Sequence, residues 1–303
     1  MYSFGSPAGD SGKLTVLYNR DLASASHASV SAETAAAVSS AVAGTRPSYL
    51  LALWTLWLRE VRGFYRQRAR VIAGLATPLI FWFVLGSGFG ASITSSGSDN
   101  YLEFFFPGAV TLTVLFASIF SNISVIEDRR EGFLLSVLVA PIPRYIMVLG
   151  KILGATTIGA IQGAMLLPLI PILGISFDWL ALLGMAALVM LMAFGLTGVG
   201  FYFAWKLNST QGFHSVMNIL LMPMWLLSGA LFPLDGASLW MRALMTINPL
   251  MYGVVGFRRI LFGDQVVAGP SLLTCWTVSL LFAGVALALA VSASSRPSAK
   301  NLS

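Results

Sequence analysis

Five consecutive charged side chains, Glu127, Asp128, Arg129, Arg130 and Glu131, open a segment that closes on Pro141, Pro143 and Arg144. Gly132 follows the charges, and an apolar run from Phe133 to Ala140 comes next. Such a cluster offers ion pairing: carboxylates for basic groups on another surface, guanidinium groups for acidic groups or lipid phosphate. Nucleotide chemistry is missing. A phosphate-binding loop needs G-x-x-x-x-G-K-[ST], whereas Gly150-Lys151 is followed by Ile152 and has no glycine five places earlier. His27 and His214 stand far apart and Cys275 is the only cysteine, so neither a metal site nor an intrachain disulfide is expected. No G-x-S-x-G nucleophile elbow occurs.

The elements that must hold this cluster are membrane elements. The 303 residues are 57% hydrophobic and 10% charged, with a mean hydropathy of +0.82, against about 25% charged in average soluble domains. This composition predicts an all-α, multi-pass membrane protein. The net charge of +6 does not point to nucleic acid, because the basic residues gather beside apolar spans. Residues 1–47, rich in Ala, Ser and Gly, are expected to be a disordered cytosolic extension. They lack the charged-then-apolar order of a cleaved signal peptide.

Over residues 48–70 an apolar stripe carrying Trp54 and Trp57 repeats at helical spacing, with Arg59, Arg62 and Arg66 crowding its second half. This pattern suits an amphipathic interfacial helix, with rings at headgroup depth and arginines on anionic lipid. A six-span domain is expected over residues 71–292, with spans near 71–89, 105–126, 145–173, 179–203, 216–231 and 272–291. A polar tail, 293–303, closes the chain. With both termini cytosolic, 15 of the 18 Lys and Arg fall inside, leaving Arg242, Arg258 and Arg259 outside. The charged segment, 127–144, is then cytosolic: either a polar turn or a short helix at the membrane face ended by its prolines.

Residues 232–270 read differently. Pro233, Asp235 and Gly236 break the fifth span, and a short apolar stripe runs to Asn248 and Pro249. The residues alone leave open an outer surface loop or a segment dipping into the leaflet. The expected spans hold no Asp, and no Glu unless Glu103 sits deep. A gradient-coupled carrier normally places ionisable groups at the midplane. Energy is therefore expected to arrive from outside the chain.

Two patches carry a family resemblance. Glu127 to Gly132 with Leu135-Ser136-Val137-Leu138-Val139-Ala140-Pro141, and Leu227-Ser228-Gly229-Ala230-Leu231-Phe232-Pro233 followed by Ile247-Asn248-Pro249-Leu250, resemble the ABC-2 type exporter permeases. The resemblance covers roughly residues 50–292, and the Arg59-Glu60 to Gly90 region looks closer to drug and nodulation-factor permeases than to polysaccharide exporters. It implies a cytosolic coupling helix at 127–144 that meets a separate ATPase. It also implies a connecting helix at 48–70 touching that ATPase, and an outer re-entrant hairpin between spans 5 and 6. The implied partners are an ABC ATPase subunit, a second permease copy (the same chain or a sister) and membrane lipids. ATP and Mg would sit on the ATPase, with no cofactor on this chain, in a bacterial cytoplasmic (inner) membrane. The implied function is ATP-driven export of an amphiphile such as a drug, lipid or glycolipid. The alternatives are a membrane anchor or sensor for a cytosolic partner, and an ATP-independent secondary transporter.

Overall fold

The structure, a computed structural model, describes residues 48–89, 101–134, 137, 142–175, 178–263 and 267–295. The expected N-terminal extension, the turn at 91–100, most of the Phe133 to Ala140 run with Pro141, and the end of the tail lie outside the described residues. Within the body Tyr49–Ser303, the described residues form helices without strands. These are α1 (Tyr49–Arg66), α2 (Arg68–Phe89), α3 (Tyr101–Phe120), α4 (Ile123–Arg130), α5 (Arg144–Ala164), α6 (Trp179–Lys206), α7 (Thr210–Leu226), α8 (Leu239–Ile247), α9 (Pro249–Phe262) and α10 (Leu272–Ser295). Short 3-10 turns at Leu167–Leu173 and Leu234–Gly236 complete them.

The bundle is built around α3, whose Phe105, Phe106, Val114 and Ile119 are fully buried. It packs against α2, α5, α6 and α9. α6 lies along α10, where bare glycines let the helices close up: a methyl group on Gly198 would stand 2.9 Å from Ala286 Cβ. Many apolar side chains of α2 and α10, including Ile72, Phe83, Leu273 and Leu281, remain exposed. Such faces suit lipid or another apolar surface.

Among the described residues, five helices are long and apolar enough to cross a membrane: Val71–Gly88, Tyr101–Arg130, Arg144–Leu173, Trp179–Lys206 and Leu272–Ser295. The expected fifth span, 216–231, does not reach that length. Its helix, α7, runs for 17 residues, starting earlier than expected because the Ser209 hydroxyl caps it by accepting from Gly212 N at 2.8 Å. It stops at Leu226, just before a turn in which Gly229 takes φ +79°.

The segment 232–270 divides into two unlike helices. α8 buries only Met245 and exposes Leu239, Trp240, Leu244 and Ile247. α9 buries ten residues and packs against α3, α6 and α10. Asn248 forms the corner: its Oδ1 caps α9 by accepting from Leu250 N at 3.1 Å, and its Nδ2 donates to Met224 O at 2.5 Å. Pro249 occupies the first turn, where a missing N–H is harmless. Pro233 precedes the 3-10 turn holding Asp235 and Gly236, and Arg242 fastens that turn by donating to Leu234 O and Asp235 O.

Candidate functional site

The charged segment is helical where its charges lie. α3 ends at Phe120, the chain makes one irregular turn at Ser121 and Asn122, and α4 carries it onward. The Asn122 carboxamide donates to Ser118 O at 2.8 Å, and a methyl group on Gly200 of α6 would stand 2.6 Å from its nitrogen. Asn122 thus joins helices. With about 100° between successive helical positions, α4 turns Asp128 inward while Glu127 and Arg130 stay exposed.

Asp128 meets two cations, one of them shared with a second carboxylate. Arg59 of α1 donates to both its oxygens, at 2.8 and 2.5 Å, in the bidentate geometry that favours arginine. Lys151 Nζ of α5 stands 2.5 Å from Asp128 Oδ2 and also pairs with Glu60 of α1. Ser124 donates to the second Glu60 oxygen at 2.8 Å. Two carboxylates thus face two cations, with the Lys151, Glu60 and Asp128 side chains 2, 7 and 6% exposed. The Arg59 side chain is 41% exposed, and its guanidinium lies 3.5 Å above the Phe133 ring. Donation to the Asp128 carboxylate outweighs desolvation and holds the Arg59 guanidinium above its ordinary pKa. Buried ion pairs hold position better than they add stability, because desolvation offsets the attraction, but removing one partner strands the other.

The network forms because α1 comes very close to α5. Gly150 and Gly154, four residues apart on α5, face Leu56 and Glu60: a methyl group on either glycine would stand 2.8 or 2.5 Å from their Cβ atoms. The Trp57 indole donates to Thr157 Oγ1 at 3.0 Å.

The remaining arginines bind helix ends. Arg129 donates to Trp205 O at 2.7 Å and to Ala204 O, Leu207 O and Asn208 Oδ1 at 3.1–3.4 Å, closing the carbonyl end of α6. Arg130 donates to Asn208 O at 3.0 Å. Arg144 donates to Ser294 O and Ser295 O, both at 3.3 Å, at the end of α10. The segment is therefore tied to α1, α5, α6 and α10 at once.

The sequence offers Asp128, Arg129, Arg130 and Arg144 to a partner, whereas the structure gives each of them a partner within the chain, Arg130 and Arg144 from exposed positions. Glu127, Arg130 and Glu131 form the exposed face, and Gly132, with φ +76°, turns the chain away after it. On α1, Arg62, Arg66 and Trp54 are exposed, with Trp54 against Trp57 at 4.6 Å between ring centroids. Glu60 and Lys151 were not singled out from sequence. Each carried a signal: Glu60 is the lone acid of an arginine-rich stripe, and Lys151 the lone cation within an apolar span.

A second pair of buried charges sits on α9. Arg258, 5% exposed, donates to Phe104 O at 3.1 Å and Ala230 O at 3.2 Å, with its guanidinium 3.8 Å above the Phe104 ring. Arg259 donates to Gly269 O at 2.8 Å. Both were expected on the outer side, in a segment left open between a surface loop and a dip into the leaflet; they pin α3, the end of the α7 turn and the loop before α10 to one helix.

The described residues thus form a bundle with five helices long and apolar enough to cross a membrane, and a buried ionic network behind a charged face. The chain matches the ABC-2 type transporter family over residues 51–262, and it belongs to that family. It is 28% identical over 201 residues to Nodulation protein J of Rhizobium leguminosarum bv. trifolii, covering 66% of this chain and 76% of that one. It is 25% identical over 243 residues to the Inner membrane transport permease YadH of Escherichia coli strain K12, covering 77% and 91%. Nodulation protein J of Rhizobium meliloti strain 1021 is 25% identical over 224 residues, covering 72% and 85%. The chain is thus a membrane transport subunit of the ABC-2 type, which generally partners an ABC ATPase.

Proposed function

We propose that this chain is the permease half of an ATP-driven exporter, and that the face formed by Glu127, Arg130 and Glu131 receives the push of a separate ATPase. The observation that carries this reading is the Arg59–Asp128–Lys151–Glu60 network. It lies directly behind that face and joins α4 to α1 and α5, so a force on α4 moves both together. The Arg129 and Arg144 contacts extend the movement to α6 and α10. ATP and Mg belong to the ATPase; this chain supplies the conduit, paired with a second permease copy, for an amphiphile leaving across the cytoplasmic membrane. Both termini lie in the cytosol, and the α8–α9 hairpin dips into the outer leaflet.

The experiment is a pull-down from detergent-solubilised membranes comparing the wild type with a Glu127→Ala, Arg130→Ala, Glu131→Ala triple variant. All three side chains are exposed, so the thermal unfolding temperature should stay within a few degrees of wild type, as for ordinary surface substitutions of about ±0.5 kcal/mol each. An ATPase recovered with the wild type and lost from the variant is the expected result. Recovery of no ATPase with either chain favours a membrane anchor or a gradient-driven carrier instead.

A further inference from the structure

A cavity of about 750 Å³ opens between α2, α3, α5 and the start of α7, and its chemistry is specific. Phe116 and Phe120 stack at 5.5 Å, and the His214 ring lies 4.7 Å from Phe120, so one wall is a run of aromatic faces. On the opposite wall the Gln162 carboxamide of α5 is fully buried, and neither its oxygen nor its nitrogen has a hydrogen-bond partner. A methyl group on Gly74 would stand 2.9 Å from that oxygen. Gly74 and Pro78 both line the cavity. Because the proline nitrogen carries no hydrogen, the Gly74 carbonyl lacks its helical donor. Among the described lining residues, Glu127 is the charged one, and its carboxylate is exposed.

We propose that this cavity binds a protonated-amine amphiphile: a lipophilic cation bearing N–H donors. Aromatic faces attract a cation, the Glu127 carboxylate neutralises it, and the Gln162 and Gly74 oxygens accept its N–H groups. An anionic amphiphile would meet the same carboxylate with repulsion; the Gln162 amide, with one donor and one acceptor free, serves either charge and does not itself discriminate. The Gln162 amide presents an acceptor and a donor that no described residue meets, and a buried polar group ordinarily finds its partner in protein, water or ligand. The inference names the cargo class of the exporter reading and rests on it only for transport; binding itself needs no ATPase.

The test is equilibrium binding to the purified permease in neutral phosphatidylcholine nanodiscs, followed by fluorescence anisotropy with empty nanodiscs subtracted. The probes share a xanthene core: rhodamine 6G, a cation with N–H donors, and sulforhodamine B, an anion. The expected result is saturable rhodamine 6G binding, with sulforhodamine B weaker by about three- to thirtyfold, the range that one carboxylate and one aromatic wall support. Glu127→Gln should narrow that gap. Gln162→Leu should weaken rhodamine 6G while leaving the unfolding temperature equal or higher, because an apolar side chain of similar shape removes an unpaired buried amide. Equal affinity for the two dyes, absence of saturable binding, or wild-type affinity in both variants would overturn the proposal. None of these outcomes bears on the ATPase pull-down, so each reading can fail alone.

Discussion

Lys151 is the residue whose loss the ionic network tolerates least. Its ammonium serves both Glu60 and Asp128, and Lys151→Met leaves two buried carboxylates sharing one partly exposed arginine. Breaking a buried pair from one side costs about 3–5 kcal/mol. The variant should therefore unfold at a clearly lower temperature in a thermal melt. Adding Glu60→Gln removes one charge of each sign, and the double variant should regain roughly half of the loss or more, as coupled neighbours do. Additive losses would mean that the two residues act separately. Little of this could be read from the sequence. Glu60 and Lys151 lie 91 positions apart, and nothing local to either residue reports its partner. Asp128 was visible as part of a charged run, but its inward aim depends on the irregular turn at Ser121 and Asn122, which resets the helix phase.

At the scale of elements, α1 is a strut braced along α5. Its amphipathic pattern was legible, because tryptophans and arginines on opposite sides of a stripe say which side is apolar. The surface it meets was not, because Gly150 and Gly154 read equally well as lipid-facing small residues. The close approach makes a sharp prediction. Gly154→Leu drives a side chain against Glu60 Cβ and the Trp57 carbonyl, and overpacking of this kind costs about 1–3 kcal/mol. ATP-dependent efflux in reconstituted vesicles should fall severalfold while ATPase recovery in the pull-down persists, because the exposed face of α4 is untouched. Loss of both together would place α1 within the docking surface. The segment 232–270 shows the same limit in the sequence. Pro233 and Asn248-Pro249 fall at breaks between its helices, but the burial of Arg258 and Arg259 was hidden because two adjacent arginines ordinarily signal solvent. Backbone carbonyls, which carry no sequence signature, are what receive them.

For the whole molecule, the lysine and arginine count predicts which end of the bundle faces the cytosol. Cys275 is buried, so Cys275→Ala supplies a background without cysteines. In it, Arg130→Cys should react with a membrane-impermeant maleimide in inside-out vesicles and not in intact cells, and Asp235→Cys should behave oppositely. The reverse pattern would invert the topology. The general architecture was legible because long apolar stretches have few alternatives in a bilayer. The number of full spans was less so: α7, over the expected fifth span, ends at Leu226 just before the Gly229 turn.

The Arg258 contacts also bear on the order in which the molecule can be completed. Its acceptors, on Phe104 and Ala230, belong to stretches synthesised before α9 emerges. The cation therefore arrives at a receptor already made, and a nascent chain halted before residue 258 would leave those two carbonyls without it. This contact is completed late in synthesis, after Arg59, Glu60, Asp128 and Lys151, the four members of the ionic network, have all been made.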